Sequence, residues 1–195
     1  GYFKEQAFEL PTVIGHSFGG FMALQFASIH PDLVGKLVLV DFFPFSMALW
    51  NEAFTSEVGK QQSQMYESQM VSMPQEKYAE FWKQNLKGMV TSVENQDALF
   101  NLIMGSDRQY IIKAQCAMLE NDLRPELKNV SCPVLILCSD VTLKKAGFDA
   151  QSIQQKINSQ FEGLANKRIF INESALHFIM LDEPEWLVQK LIQFI

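Results

Sequence analysis

The order of apolar and polar positions divides this chain into three stretches. Residues 10–14 form a short apolar run that ends at Gly15, and Val13 and Ile14 favour a strand. Residues 21–27 are almost entirely apolar, which predicts a helix buried on most sides, ended by His30 and Pro31. Residues 36–40 read Lys-Leu-Val-Leu-Val, a continuous apolar run of the kind found in parallel strands covered on both faces. Strand signals then vanish until about residue 122. Residues 75–86, 94–104 and 107–119 carry the clearest helical patterns, and Ser72 with Gln75 and Thr91 with Glu94 read as capping boxes. The alternating order resumes with strands over 133–138 and 168–171. Helices are expected over 149–161 and 183–195, the latter opened by an Asp182/Glu185 capping box with Pro184 in its first turn. Residues 2–6 read as the end of a helix.

Strands separated by helices imply a parallel sheet. The reading is therefore an α/β core formed by residues 1–41 and 123–195, with an all-helical insertion over 42–122. That insertion holds seven of the nine methionines, and most of its methionines and aromatics are expected in an ordinary helical core, with a minority lining a pocket.

Composition narrows the function. The 195 residues are 48% hydrophobic and 19% charged, as in a folded globular protein. The net charge is -6 and no basic cluster runs along the chain, which argues against nucleic acid as a partner. No apolar run has the length of a membrane span. The three cysteines and three histidines match no zinc spacing.

The chemistry-bearing motif is Gly15-His16-Ser17-Phe18-Gly19-Gly20, placed between a strand and an apolar helix. In that context G-x-S-x-G forms a sharp turn that lifts the serine hydroxyl out of the sheet, and the glycines let the backbone pass closely. The Phe18 N–H, at the start of the helix, is positioned to stabilise an oxyanion. His177 follows the last strand and so reaches the same sheet edge as Ser17. His16 is read as packing under the turn, and His30 as a partner of its helix terminus.

With these motifs the chain resembles the α/β-hydrolase superfamily. Residues 15–20 look like its nucleophile elbow, 42–122 like its helical cap, and 176–184 (Leu-His-Phe-Ile-Met-Leu-Asp-Glu-Pro) like its histidine loop and last helix. The resemblance implies a mostly parallel sheet with an all-helical cap and a serine hydrolase acting on a small, mostly apolar ester, thioester or amide. Ser17 would be the nucleophile, His177 the base, Asp140 the orienting acid and Phe18 an oxyanion donor, with no cofactor or metal. Asp140 lies two residues past the strand after which the family usually carries its acid, in the usual Ser–Asp–His order. The commonest pattern puts that acid nearer Thr142, and Asp41 at the end of the preceding strand is the rival. Asp149 comes third, as a helix cap. The family also places strands, and its second oxyanion donor, before the elbow, so the N-terminal part of the fold is expected to be missing from this sequence or held on another chain as a partner, beside a small-molecule substrate. The competing reading is a non-catalytic ligand receptor on the same fold.

Overall fold

The computed structural model describes residues 10–195; the helix end expected over residues 2–6 lies outside them. Among the described residues four strands, β1 (Thr12–His16), β2 (Lys36–Val40), β3 (Val134–Ser139) and β4 (Lys167–Asn172), form one all-parallel sheet in the order β1-β2-β3-β4. The register pairs Ile14 with Val38, Val38 with Leu135 and Leu135 with Arg168.

β2 and β3 are the inner strands, and their unbroken apolar runs serve two cores at once. Successive side chains leave opposite faces of a strand. Leu37, Leu39, Val134, Ile136 and Cys138 therefore pack on one face with Leu24 and Ala27 of helix α1 (Phe18–Ile29). Val38, Val40, Leu135 and Leu137 pack on the other with Ala175 and Ile179. This face is covered by Trp186, Leu187 and Leu191 of the C-terminal helix. The result is a three-layer α/β/α core whose middle strands exclude water on both sides.

The chain leaves the sheet after β2 and returns in the adjacent β3. Between them lie a short α2 (Met47–Trp50), α3 (Ser56–Ser72), α4 (Gln75–Leu86), α5 (Val93–Gly105) and α6 (Arg108–Glu120). Helix α3, with many exposed glutamines and serines, carries no clear hydrophobic pattern, because it buries only Gly59, Ser63 and Met70. It crosses α6 so closely that a Cβ at Gly59 would lie 2.1 Å from the Leu119 carbonyl oxygen. The insertion has its own core of Met70, Tyr78, Trp82, Ile112 and Cys116. After β3 come α7 (Val141–Lys145) and α8 (Ala150–Gln160), and after β4 come α9 (Ile179–Asp182) and α10 (Pro184–Ile192).

The three expected capping boxes are corrected by the structure. Ser72 is the last residue of α3 and its hydroxyl donates back to the Ser68 carbonyl, so Pro74 precedes α4 instead. Ser92, not Thr91, caps α5, its hydroxyl accepting from the Asn95 N–H. Glu183 occupies the cap position of α10 and Asp182 belongs to α9. Thr91 and Asp182 are bonded to each other across the fold, an option no local spacing reveals. Asp149 does cap α8, its carboxylate accepting from the Ser152 N–H at 2.7 Å.

Candidate active site

The C-terminal ends of β1, β2 and β3 converge beneath the helical insertion, and each contributes to one cavity of about 560 Å³. Ser17, Asp41 and His177 all line it.

Ser17 sits between β1 and α1 with φ 52° and ψ −122°, a backbone conformation that L-residues rarely adopt. Such strain costs on the order of 1–3 kcal/mol and survives only where its surroundings over-determine it. Two main-chain hydrogen bonds hold the turn: Ser17 N–H donates to the Val40 carbonyl at 3.1 Å, and Phe21 N–H donates to the Ser17 carbonyl at 3.1 Å. The glycine requirement is distributed differently from the simple motif. A Cβ on Gly15 would lie 2.3 Å from the Gly19 carbonyl oxygen, and one on Gly20 would lie 2.6 Å from the Phe42 Cβ. Gly19 has open space among the described residues. Gly15 and Gly20 are thus the positions where backbone packing excludes a side chain. Phe18 opens α1, so its N–H belongs to the first turn, which lacks intrahelical acceptors.

The acid facing the histidine is Asp41, not Asp140. Asp41 Oδ2 lies 2.7 Å from His177 Nδ1, and Asp41 Oδ1 accepts the Ser139 N–H at 2.8 Å. Asp41 also has a positive φ, 41°, which turns its side chain off the end of β2 toward the histidine loop. Asp140 is engaged elsewhere. It precedes α7 in an α-helical backbone conformation, and its Oδ2 pairs at 2.9 Å with Lys144 one helical turn on. Lys144 pairs at 3.0 Å with Glu173 as well. The immediate entry of the chain into α7 turns the Asp140 carboxylate toward its own helix, so Asp41 takes the place expected of Asp140 beside His177, and Ser17 lines the same cavity.

His16 does more than fill space. Its ring centroid is 4.6 Å from that of His177, and its Nε2 is 3.0 Å from the His177 carbonyl oxygen. A carbonyl only accepts, so Nε2 carries the proton and donates. Burial, followed by the nearby His177, lowers the His16 pKa from 6.5 to about 4. The unfolded chain takes up this proton near pH 6.5 and the folded chain near pH 4. Stability is therefore lost as pH falls through that window, by about 3 kcal/mol in total. Urea unfolding at pH 7 and pH 4.5 should show this loss in the native protein. His16→Gln, which keeps a donor without a titration, should lose correspondingly less; equal losses in both proteins would exclude His16 as the source.

The rest of the cavity is mainly apolar: Phe42, Phe43, Leu49, Trp50, Met89, Met118 and Leu143 line it, with Ser46, Asn85, Gln115 and Thr142 as polar points. Of the methionines in the insertion, Met89 and Met118 reach this lining, while Met70 packs in the insertion's own core and Met65 is exposed. No Lys or Arg lies among the described lining residues.

A family model described as the alpha/beta hydrolase fold matches residues 8–184. The chain belongs to the α/β-hydrolase fold family. Among curated proteins it is 27% identical, over 65% of its length, to a Serratia proteamaculans protein bearing the name of a carbamate hydrolase, RutD. The chain spans about half of that relative, 46% of its length. Among solved structures it resembles an esterase from Exiguobacterium antarcticum, with TM-score 0.72 and 19% identity over 99% of this chain and 69% of that one. It also resembles a thermophilic esterase from Thermogutta terrifontis, with TM-score 0.70 and 18% identity over 94% of this chain and 63% of that one. At these identities the structural likeness speaks for the fold.

Proposed function

We propose that this α/β-hydrolase chain carries a serine hydrolase site that cleaves a small, mostly apolar ester, thioester or amide through an acyl-enzyme on Ser17. The observation that carries the reading is the 2.7 Å pairing of His177 Nδ1 with Asp41 in the cavity that Ser17 lines from its strained turn. A serine hydroxyl is a weak nucleophile until a base takes its proton, and the base works best when a carboxylate fixes its tautomer and supports its charge.

In this mechanism Ser17 Oγ attacks the carbonyl carbon while His177 Nε2 accepts the hydroxyl proton. The resulting oxyanion is stabilised by the Phe18 N–H. The tetrahedral intermediate collapses, and the leaving alcohol, thiol or amine departs with the proton held by His177. Water then gives a proton to His177 and attacks the acyl-Ser17 ester. Collapse of the second intermediate releases the carboxylic acid and returns the proton to Ser17. Asp41 orients the imidazole and supports the imidazolium. The apolar lining, without Lys or Arg among its described residues, favours uncharged substrates. The esterase and carbamate hydrolase names of the relatives fall in the same class of acyl chemistry.

The test is covalent labelling with a fluorophosphonate, read by mass spectrometry of the peptide spanning the elbow. Stoichiometric modification of Ser17 with parallel loss of nitrophenyl ester hydrolysis is the expected result. An unmodified Ser17 in folded protein would overturn the proposal and favour a binding protein.

A further inference from the structure

His177 is held by its main chain as well as by Asp41. Its carbonyl accepts from His16, and the amides on either side of it are both engaged. Leu176 N–H donates to Asp182 Oδ2 at 2.8 Å, and Phe178 N–H donates to the Met89 carbonyl at 3.0 Å. The other oxygen of Asp182 faces the helical insertion. Asp182 Oδ1 accepts from Thr91 N–H at 2.9 Å and from the Thr91 hydroxyl at 2.7 Å. Met89 and Thr91 belong to the turn between α4 and α5, and Gly88 and Met89 of that turn line the cavity. The turn is itself stiffened, because Gln96 Nε2 donates to the Val90 carbonyl at 3.0 Å and the Met89 and Val90 amides donate to the Leu86 carbonyl.

Two of the three ties on the backbone around His177 therefore end on the cavity-lining turn of the insertion. A carboxylate suits the junction because it only accepts, and it meets donors on both sides. Each of its contacts is a charge-assisted hydrogen bond, stronger than one between neutral groups. An asparagine cannot reproduce this, since its amide nitrogen would face either Leu176 N–H or Thr91 N–H, neither of which can accept.

We infer that Asp182 is a positioning residue: its carboxylate locks the cavity-lining turn 88–91 to the segment bearing His177, so that the insertion and the base are placed as one unit. The inference rests on His177 being the base of the proposed hydrolase. A substrate packed against Met89 then bears on the same turn that fixes His177. The purely local alternative is that Asp182 staples only its own loop to Leu176, and Thr91 separates the two. Thr91 is far away in sequence, so Thr91→Val removes one donor to Asp182 while leaving every group of the histidine loop in place.

The experiment measures amide hydrogen exchange and nitrophenyl acetate hydrolysis for the native protein, Asp182→Asn, Asp182→Glu and Thr91→Val, with rates expressed per fluorophosphonate-titrated Ser17. Asp182→Asn should speed exchange at Leu176 and lower kcat about tenfold or more, while KM moves by less than about threefold. Asp182→Glu should restore most of kcat. Thr91→Val should speed exchange at Leu176 and lower kcat by about threefold. Native Leu176 exchange and native kcat in Thr91→Val would reduce Asp182 to a local staple and overturn the inference. So would a loss in Asp182→Asn that disappears on normalising to titrated sites, or one that glutamate fails to restore. If the native protein is neither labelled nor active, the hydrolase reading fails. The exchange measurements then still decide whether Thr91 and Leu176 are coupled through Asp182.

Discussion

Ser17→Ala is expected to remove the proposed hydrolysis while the protein stays folded. Loss of the nucleophile should lower turnover on the order of 10⁴–10⁶-fold. The fold tolerates the change because both hydrogen bonds that hold the turn are made by the main chain, through Ser17 N–H to Val40 and the Ser17 carbonyl from Phe21. The backbone strain remains in Ser17→Ala, since alanine dislikes a φ of 52° as much as serine does. Glycine does not, so Ser17→Gly should be equally inactive yet about 1 kcal/mol more stable than Ser17→Ala. Nitrophenyl ester turnover and urea midpoints for the three proteins check both statements. Near-native turnover in either variant would remove Ser17 from the nucleophile's role. Equal stability of the two variants would show that the turn is unstrained.

Asp41→Asn should lower turnover on the order of 10³–10⁴-fold, and Asp140→Asn by no more than about threefold. The reason lies in what each carboxylate oxygen already does. Asp41 Oδ1 accepts the Ser139 N–H, and an asparagine at this position would keep its one oxygen there. Its NH₂ would then face His177 Nδ1, where the carboxylate Oδ2 sits at 2.7 Å. The ring would have to offer Nδ1 as an acceptor and carry its proton on Nε2, the atom needed to receive the Ser17 proton. The imidazolium would also lose its counter-charge. Asp140, by contrast, pairs with Lys144, and that lysine retains Glu173 when Asp140 is neutralised. Rates per titrated active site separate catalytic loss from lost folding. If Asp140→Asn proves the more damaging of the two, the assignment of the acid to Asp41 is wrong.

These two carboxylates show where the sequence stops being informative. Both follow an apolar parallel strand, both precede His177 in the chain, and both leave the sheet at the edge where Ser17 lies. Spacing and family pattern favoured Asp140. What separated them is backbone direction: Asp41 turns through a positive φ toward the histidine loop, while Asp140 runs straight into α7 and meets Lys144. A choice between two backbone conformations one residue beyond a strand is made by the packing of the next segment. Similarly, Thr91 and Asp182 carried the local signature of helix caps and instead bind each other, because a hydrogen-bonding side chain takes whichever partner the fold brings.

The sequence by itself determined the four strands, the helical character of the stretch between β2 and β3, the Ser17 turn and the place of His177 in the chain. Each of these depends on period, on local turn chemistry or on a short motif, all of which act between near neighbours in the chain. Only the tertiary structure decided which acid faces His177, that His16 donates to the histidine's backbone, and that Asp182 ties the loop to Thr91. Those are hydrogen bonds between segments up to 161 residues apart. Their geometry follows from how the sheet aligns its strand ends and how the insertion settles over them, and no spacing along the chain encodes it.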